Sequence, residues 1–315
     1  MRKALVVGID DYPASPLAGC VNDAQRMAEL LSRHHDDAPN FECRTVVSSN
    51  TTITRPSLKE LINELFSADN EVALFYFAGH GTFNNLGGYI VTPDAKRYDE
   101  GVSMTDVLTM VNKSQAHESV ILLDCCHSGA FGQLPAIDND KANLRLGVSV
   151  LSACRETEAA METNGGGLFT SLVDAALSGG AADVCGKVTI ASVYAYVDQA
   201  LGAWQQRPLF KSHVSRLIPL RRCAPAIPIE ILRLLPRYFK TSSYEFPLDP
   251  SYEPDAQPKH EEREKIFGHL QKYRSAHLVV PVGEDHMYFA AINSKSCRLT
   301  PLGRFYWNLA NSGKL

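Results

Sequence analysis

No stretch of this 315-residue sequence approaches the ~18 consecutive apolar residues of a membrane span. The opening, "MRKALVVGIDDYP", starts basic, but its apolar run stops after six residues at Asp10 and Asp11, too short for the core of a secretory signal. A cytoplasmic protein with no membrane partner is therefore expected. Basic charge is not in excess: 31 Lys and Arg face 35 Asp and Glu, for a net charge of −4. Nucleic-acid binding draws on surplus cations that displace phosphate counterions, so this balance argues against it. The eight cysteines (Cys20, Cys43, Cys125, Cys126, Cys154, Cys185, Cys223, Cys297) are scattered through a long chain, which argues against a disulfide framework. No C-x-x-C or H-x-x-x-H spacing occurs, so neither a metal site nor a cofactor is expected. Internal repeats and low-complexity tracts are also missing.

The remaining composition is that of an ordinary globular protein, in a chain longer than the ~100–200 residues typical of one domain. Its first two-thirds alternate short β-branched runs with amphipathic segments, the pattern of a mostly parallel sheet flanked by helices on both faces. Strands are expected at 3–9, 43–48, 72–79, 119–125 and 148–154, all rich enough in Val, Ile, Leu and Phe to be buried on both faces. Helices are expected at 22–34, at 57–68 with Ser57 and Glu60 at capping-box spacing, at 168–179 and at 188–204. Residues 241–258, with four prolines and several acids, read as a linker or extended arm. Beyond it a helix (260–276), two strands (277–283 and 286–293) and a final helix (300–313) suggest a small α+β module of roughly 55 residues. The expected boundaries are 1–222 for the α/β domain and 223–315 for the linker and module.

Two strand ends carry chemistry. "FYFAGHGT" (75–82) ends in Gly79-His80-Gly81, and "ILLDCCHSGAFG" (121–132) contains Asp124-Cys125-Cys126-His127. In open parallel sheets functional groups collect at the carboxyl ends of strands, where loops leave the sheet. A thiol and an imidazole delivered by two such ends can meet as nucleophile and base.

"GHG" after one apolar strand, followed some forty residues later by "DCCHSG" after another, resembles the caspase-like cysteine peptidases, and most closely the metacaspases and bacterial orthocaspases. "ALVVGIDDY", "LAGCVNDA" (17–24), "VSVLSACRETEAAME" (148–162) and "GLFTSLVDAAL" (167–177) agree with it, so the resemblance covers about residues 1–220 and not the C-terminal module. It implies a caspase-like α/β fold with Cys126 as nucleophile, His80 as catalytic histidine, and the backbone N–H groups of Gly81 and Cys126 as the oxyanion hole. Adjacent strand residues point to opposite faces, so His127 diverges from the Cys126 thiol.

The same period of two puts Asp124 with Cys126 and turns Cys125 away. A carboxylate beside a thiolate is unfavourable unless a cation comes to meet it, and a substrate Arg or Lys supplies one. The resemblance implies a basic-residue pocket built from Asp124 and from Asp23 of the "GCVND" stretch. Taken singly, Asp23 reads as a helix-start acid and Asp124 as a turn-capping residue. True caspases hold aspartate with arginines, and no matching basic residue stands in "LAGCVNDA" or before Cys126. Some metacaspases place a serine two residues before the histidine, where this chain has Ala78.

The resemblance further implies a zymogen cut between the nucleophile strand and the next. The polar stretch 132–146 occupies that place and holds Lys141 and Arg145 as candidate processing sites for the enzyme itself or an activating protease; a tolerated surface loop is the alternative. Asp138 and Asp140 are too few to define a calcium site. The tail "CRLTPLGRFYWNLANSGKL" is compatible with the close of a winged-helix-like module, but its aromatic residues fit a packed core, and docking of a regulatory protein or autoinhibition is the expected role. The functional expectation is an endopeptidase acting on proteins or peptides after Arg or Lys, with bacterial defence or programmed death as its setting by resemblance. The alternative is a caspase-fold adaptor working mainly through the C-terminal module.

Overall fold

The computed structural model describes residues 1–84, 87–97, 99–126, 137–138, 141–153, 162–163, 166–201 and 208–315. The described chain divides into two units, 1–182 with 187–224, and 183–186 with 225–315.

The first unit is built on an eight-stranded sheet. Its strands are β1 (Arg2–Gly8), β2 (Glu42–Val47), β3 (Val72–Asn84), β4 (Gly87–Lys96), β5 (Asp99–Ser103), β6 (Glu118–Cys126), β7 (Val148–Ser152) and β8 (Leu209–His213). The order is β8-β7-β6-β3-β1-β2, with β4 paired to the far end of β3 and to β5. The five strands from β2 to β7 run parallel; β8 closes one edge antiparallel, and β3-β4-β5 form an antiparallel extension.

Helices cover both faces because the inner strands are apolar on both; β2, expected to be buried on both faces, is instead a largely exposed edge strand in which only Val47 is buried. On one face Ala73, Phe75 and Phe77 of β3 and Leu123 of β6 pack against α2 (Arg55–Ser67) and α3 (Met104–Lys113), which present Leu58, Ile62, Val107 and Val111. On the other, Leu74, Tyr76 and Ala78 of β3 and Leu122 of β6 meet α1 (Cys20–Ser32), α4 (Leu168–Ala175) and α5 (Ile190–Leu201). Helix α1 contributes Ala24, Met27, Ala28 and Leu31, a single stripe at helical spacing. This is the caspase-like α/β architecture expected from the motifs.

The start of α2 corrects one expectation. The capping box belongs to Thr54 and Ser57, not to Ser57 and Glu60: the Thr54 N–H donates to Ser57 Oγ at 3.0 Å and the Ser57 N–H to Thr54 Oγ1 at 3.4 Å. Pro56, in the first turn, moves the helix start upstream, since its fixed φ suits that position and it has no N–H to satisfy.

The second unit holds α6 (Ile229–Leu232), α7 (Leu235–Tyr238), β9 (Glu245–Pro247), α8 (Glu261–Ser275), β10 (Val279–Val282), α9 (Met287–Ile292), β11 (Ser296–Leu299) and α10 (Pro301–Asn311). Its strands form a three-stranded antiparallel sheet in the order β9-β11-β10. Two expectations fail here. Residues 286–293 are not a strand: Met287, Ala290 and Ala291 share a buried helical face, while Tyr288, Phe289 and Ile292 are exposed. The stretch 241–258 is not a bare linker either, since Phe246 and Leu248 enter the core with Tyr238, Phe239 and Tyr273. Proline is tolerated there because β9 is an edge strand. No helix among the described residues is long and apolar enough to cross a membrane.

Thr54→Ala is expected to lower unfolding free energy by about 1 kcal/mol in urea melts. Glu60→Ala should stay within about 0.5 kcal/mol of the parent.

Candidate active site

Strands β3 and β6 lie side by side in parallel register from Val72 opposite Glu118 to His80 opposite Cys126. Both motifs therefore reach the same end of the sheet, at adjacent positions. His80 is the last residue of β3 paired to β6; from Gly81 the strand pairs with β4 instead, Gly81 lying opposite Ile90. "GHG" is thus not the end of a strand, as its sequence suggested, but the point at which one long strand changes partners. Cys126 is placed by its backbone; its side chain and His127 lie outside the described residues.

The stretch 10–15, which follows β1, holds the histidine. His80 Nε2 is 2.7 Å from the Ser15 carbonyl oxygen. A carbonyl only accepts, so Nε2 carries the proton and Nδ1 keeps the lone pair that a general base needs. The His80 N–H donates to the Tyr12 hydroxyl at 3.0 Å, that hydroxyl donates to the Val91 carbonyl at 3.2 Å, and the two rings lie with centroids 4.5 Å apart. Burial pushes the Tyr12 phenol far above its ordinary range, so it stays a protonated donor. Gly79 makes room for this: a Cβ there would lie 2.5 Å from the Tyr12 oxygen.

Asp10 fixes the other half of the site. Helix α1 begins after Gly19, which has no side chain to cap it, and Asp10 takes over: Oδ1 accepts the Cys20 N–H at 2.9 Å and Oδ2 the Val21 N–H at 3.1 Å. A carboxylate at a helix N-terminus also meets the positive end of the helix dipole. Asp23 follows in the first turn and is 2% exposed.

Asp23 and Asp124 converge on the N-terminus of α4. Asp23 Oδ2 accepts the Gly167 N–H at 2.8 Å. Asp124 Oδ2 accepts from the Thr170 N–H at 3.2 Å and the Thr170 hydroxyl at 2.7 Å. Because that hydroxyl's proton goes to Asp124, the Tyr76 hydroxyl, 2.7 Å away, donates to Thr170. A Cβ on Gly167 would lie 2.6 Å from Asp124 Oδ2 and 3.3 Å from Asp23 Oδ2, so the carboxylates close around a residue that must be glycine.

Burial raises Asp23 to about 6, the Gly167 N–H opposes the rise, and the charge of Asp124 adds to it. Asp23 Oδ1 is buried with no hydrogen-bond partner among the described residues. The Cys20 thiol is pushed far above its ordinary range by burial and then by Asp10, Asp124 and Asp23, so it remains a thiol and not a competing nucleophile. Cys125, 1% exposed, packs on the opposite face with Phe77 and Leu123.

Lys141 sits with Ala142 in a two-residue ribbon paired to Ile137–Asp138, its side chain outside the described residues. Arg145 is engaged by four groups: it donates to the carbonyls of Val111, Ala116 and Leu146 and to Ser119 Oγ. Sequence reasoning passed over Tyr12, Ser15, Gly167 and Thr170. The acid pair and tyrosine of "IDDYPAS", directly after a buried strand, were the only signal for the first two.

A family model described as the caspase domain matches residues 1–218. Metacaspase-8 of Arabidopsis thaliana is 30% identical over 152 residues, covering 42% of this chain and 38% of its own. Metacaspase-3 of Trypanosoma cruzi is 23% identical over 228 residues, covering 61% and 62%. Metacaspase-1 of Schizosaccharomyces pombe is 27% identical over 164 residues, covering 46% and 38%. The chain thus spans between 38% and 62% of the length of these relatives. A Geobacter sulfurreducens protein of known crystal structure superposes with a TM-score of 0.49 at 14% identity, over 68% of this chain and 94% of that one. The stretch matched by the family model takes in every strand of the eight-stranded sheet and both strand-end motifs, and on that ground the chain belongs to the caspase domain family.

Proposed function

We propose that this chain is a cysteine endopeptidase that cleaves after Arg or Lys, with Cys126 as nucleophile and His80 as base. The observation that carries the substrate reading is the convergence of Asp23 and Asp124 on Gly167, with neither in an ion pair with a cationic side chain among the described residues. A buried acid facing a half-buried one is costly, and an incoming guanidinium or ammonium relieves that cost.

The Cys126 thiol passes its proton to His80 Nδ1, and the thiolate attacks the substrate carbonyl. In this proposal the N–H groups of Gly81 and Cys126 receive the developing oxyanion. The imidazolium then protonates the leaving amine as the C–N bond breaks, and water activated by the neutral imidazole releases the thioester. An aspartate side chain entering the acid pocket would meet two like charges, which disfavours cleavage after Asp.

Regulation by cutting between β6 and β7 belongs to the same proposal. Arg145 spends its guanidinium on three carbonyls and a hydroxyl, and His213 Nδ1 lies 2.7 Å from the Leu144 carbonyl, so this end of the connection is tied down. Lys141 is then the better candidate for the bond cut. The exposed Tyr288, Phe289 and Ile292 on α9 favour a second, compatible reading in which the C-terminal unit binds a regulatory protein.

Arg and Lys reporter peptides should be cleaved with kcat/KM at least about a hundredfold above an Asp peptide, the size expected of a charged hydrogen-bonded pair. Cys126→Ala should reduce turnover to background while Cys125→Ala keeps it; a faster Asp peptide would overturn the assignment. Asp23→Asn should lower kcat/KM for Arg peptides by roughly ten- to a hundredfold.

The same variant has a stability signature. With a folded-state pKa near 6, native Asp23 keeps its proton while the unfolded chain loses it near pH 4, so this residue makes stability fall between pH 4 and 6. Asp23→Asn should remove that slope and gain roughly 2 kcal/mol at pH 7, read from urea melts across the range. Brief trypsin treatment should cut after Lys141 and spare the bond after Arg145, as mass spectrometry of the fragments would show.

A further inference from the structure

A cavity of about 370 Å³ adjoins His80 and Gly81. It is walled by Tyr12, Pro13, Ala14, Val91 and Pro93, and the lining contains no Asp, Glu, Lys or Arg among the described residues. Its position relative to the acid pocket follows from the sheet. Asp124 is tied to Thr170 and through it to Tyr76, on the α1 and α4 face. Tyr12 and Val91 pack instead with Phe75 and Phe77, on the α2 and α3 face. The acid pocket and the cavity are therefore associated with opposite faces of the sheet, and His80 stands at the strand position where those faces meet the site.

We infer that this cavity is the subsite for the residue immediately after the cut bond, and that it selects a large apolar side chain such as Leu, Phe or Met. The inference rests on the peptidase reading and deepens it. With Arg or Lys seated at Asp23 and Asp124, the scissile carbonyl lies at Cys126 and the departing amine must face the imidazole that protonates it. The first residue of the leaving segment is thus delivered to His80, and the concave surface on that side is this cavity.

Its chemistry sets the preference. Apolar walls reward burial of an apolar side chain and penalise a charged one, which would be desolvated with no counter-charge. The volume falls in the ~300–1,000 Å³ range of ligand sites, ample for one large side chain and too large for a glycine to fill. Thr92, 1% exposed, also lines the cavity, and its hydroxyl has no hydrogen-bond partner among the described residues. An entering peptide backbone brings the polar partner that this hydroxyl lacks. The segment Pro13–Ser15 supplies part of the wall and, through the Ser15 carbonyl, holds His80 Nε2, so one piece of backbone both shapes the cavity and orients the histidine.

The test uses quenched fluorescent peptides with Arg before the cut bond and Leu, Phe, Gly, Asp or Lys after it. Full-length protein should cleave the Leu and Phe peptides with kcat/KM about ten- to a hundredfold above Gly, and Asp or Lys below Gly. Ala14→Trp, an exposed wall position filled by an indole, should collapse the Leu-to-Gly ratio toward one. Binding of the same peptides to Cys126→Ala by calorimetry gives a readout that needs no turnover, and the Leu peptide should bind at least about fivefold tighter than Gly. Equal rates and equal affinities across the series, or a preference untouched by Ala14→Trp, would overturn the subsite. Absence of cleavage together with a retained Leu preference in binding would overturn the peptidase reading, and with it the assignment to the residue after the cut bond, while leaving the cavity as a binding site for an apolar side chain.

Discussion

Everything at this site hangs on the parallel pairing of β3 with β6. Their register is unbroken over nine residue pairs, from Val72 with Glu118 to His80 with Cys126, and both strands are buried on both faces. A slip of one residue would turn every side chain of one strand to the other face, exchanging the apolar sets that face α2 and α3 for those that face α1 and α4. The two cores hold the register, and the register places histidine opposite cysteine. The placement of His80 opposite Cys126 is thus secured by hydrophobic packing of residues remote from this end of the sheet.

The acid pair is where the fold carries its electrostatic cost. Two carboxylates close on one glycine, with Asp23 buried and raised to about 6. The first turn of α4 offsets part of this through the Gly167 N–H and the backbone and hydroxyl of Thr170, and an amide-rich helix start favours negative charge. The compensation is incomplete, as the unpartnered Asp23 Oδ1 shows. Under the proposed function, the basic side chain of a substrate completes the balance.

One short segment serves both halves of the site. Within six residues, Asp10 caps α1 and so fixes the turn that bears Asp23, while Tyr12 and Ser15 hold His80 by its backbone and its ring. Motion of this segment would disturb Asp23, His80 and the cavity beside His80 together. Glycine is needed wherever these elements close in: Gly79 under Tyr12 and Gly167 between the acids leave no room for a side chain.

The pattern of residues along the chain was enough to identify the five parallel strands of the sheet and the turning of Cys125 into the core on the face away from Asp124, because period-two alternation and buried β-branched runs are local properties; the side chain of Cys126 lies outside the described residues. It misled where local patterns compete. "HMYFAAIN" alternates well enough to read as a strand, yet Met287, Ala290 and Ala291 bury one helical face against a core assembled from distant segments. The proline-rich 241–258 reads as a linker until β11 supplies the partner that makes it an edge strand. What only the tertiary structure decided is how groups far apart in the chain meet: Asp23 with Gly167, 144 residues away, Tyr12 with His80, 68 away, and Arg145 with the end of α3. Such contacts leave no periodic trace, because a hydrogen bond between distant residues constrains only the atoms at its two ends, whereas a buried strand constrains every second residue along its length.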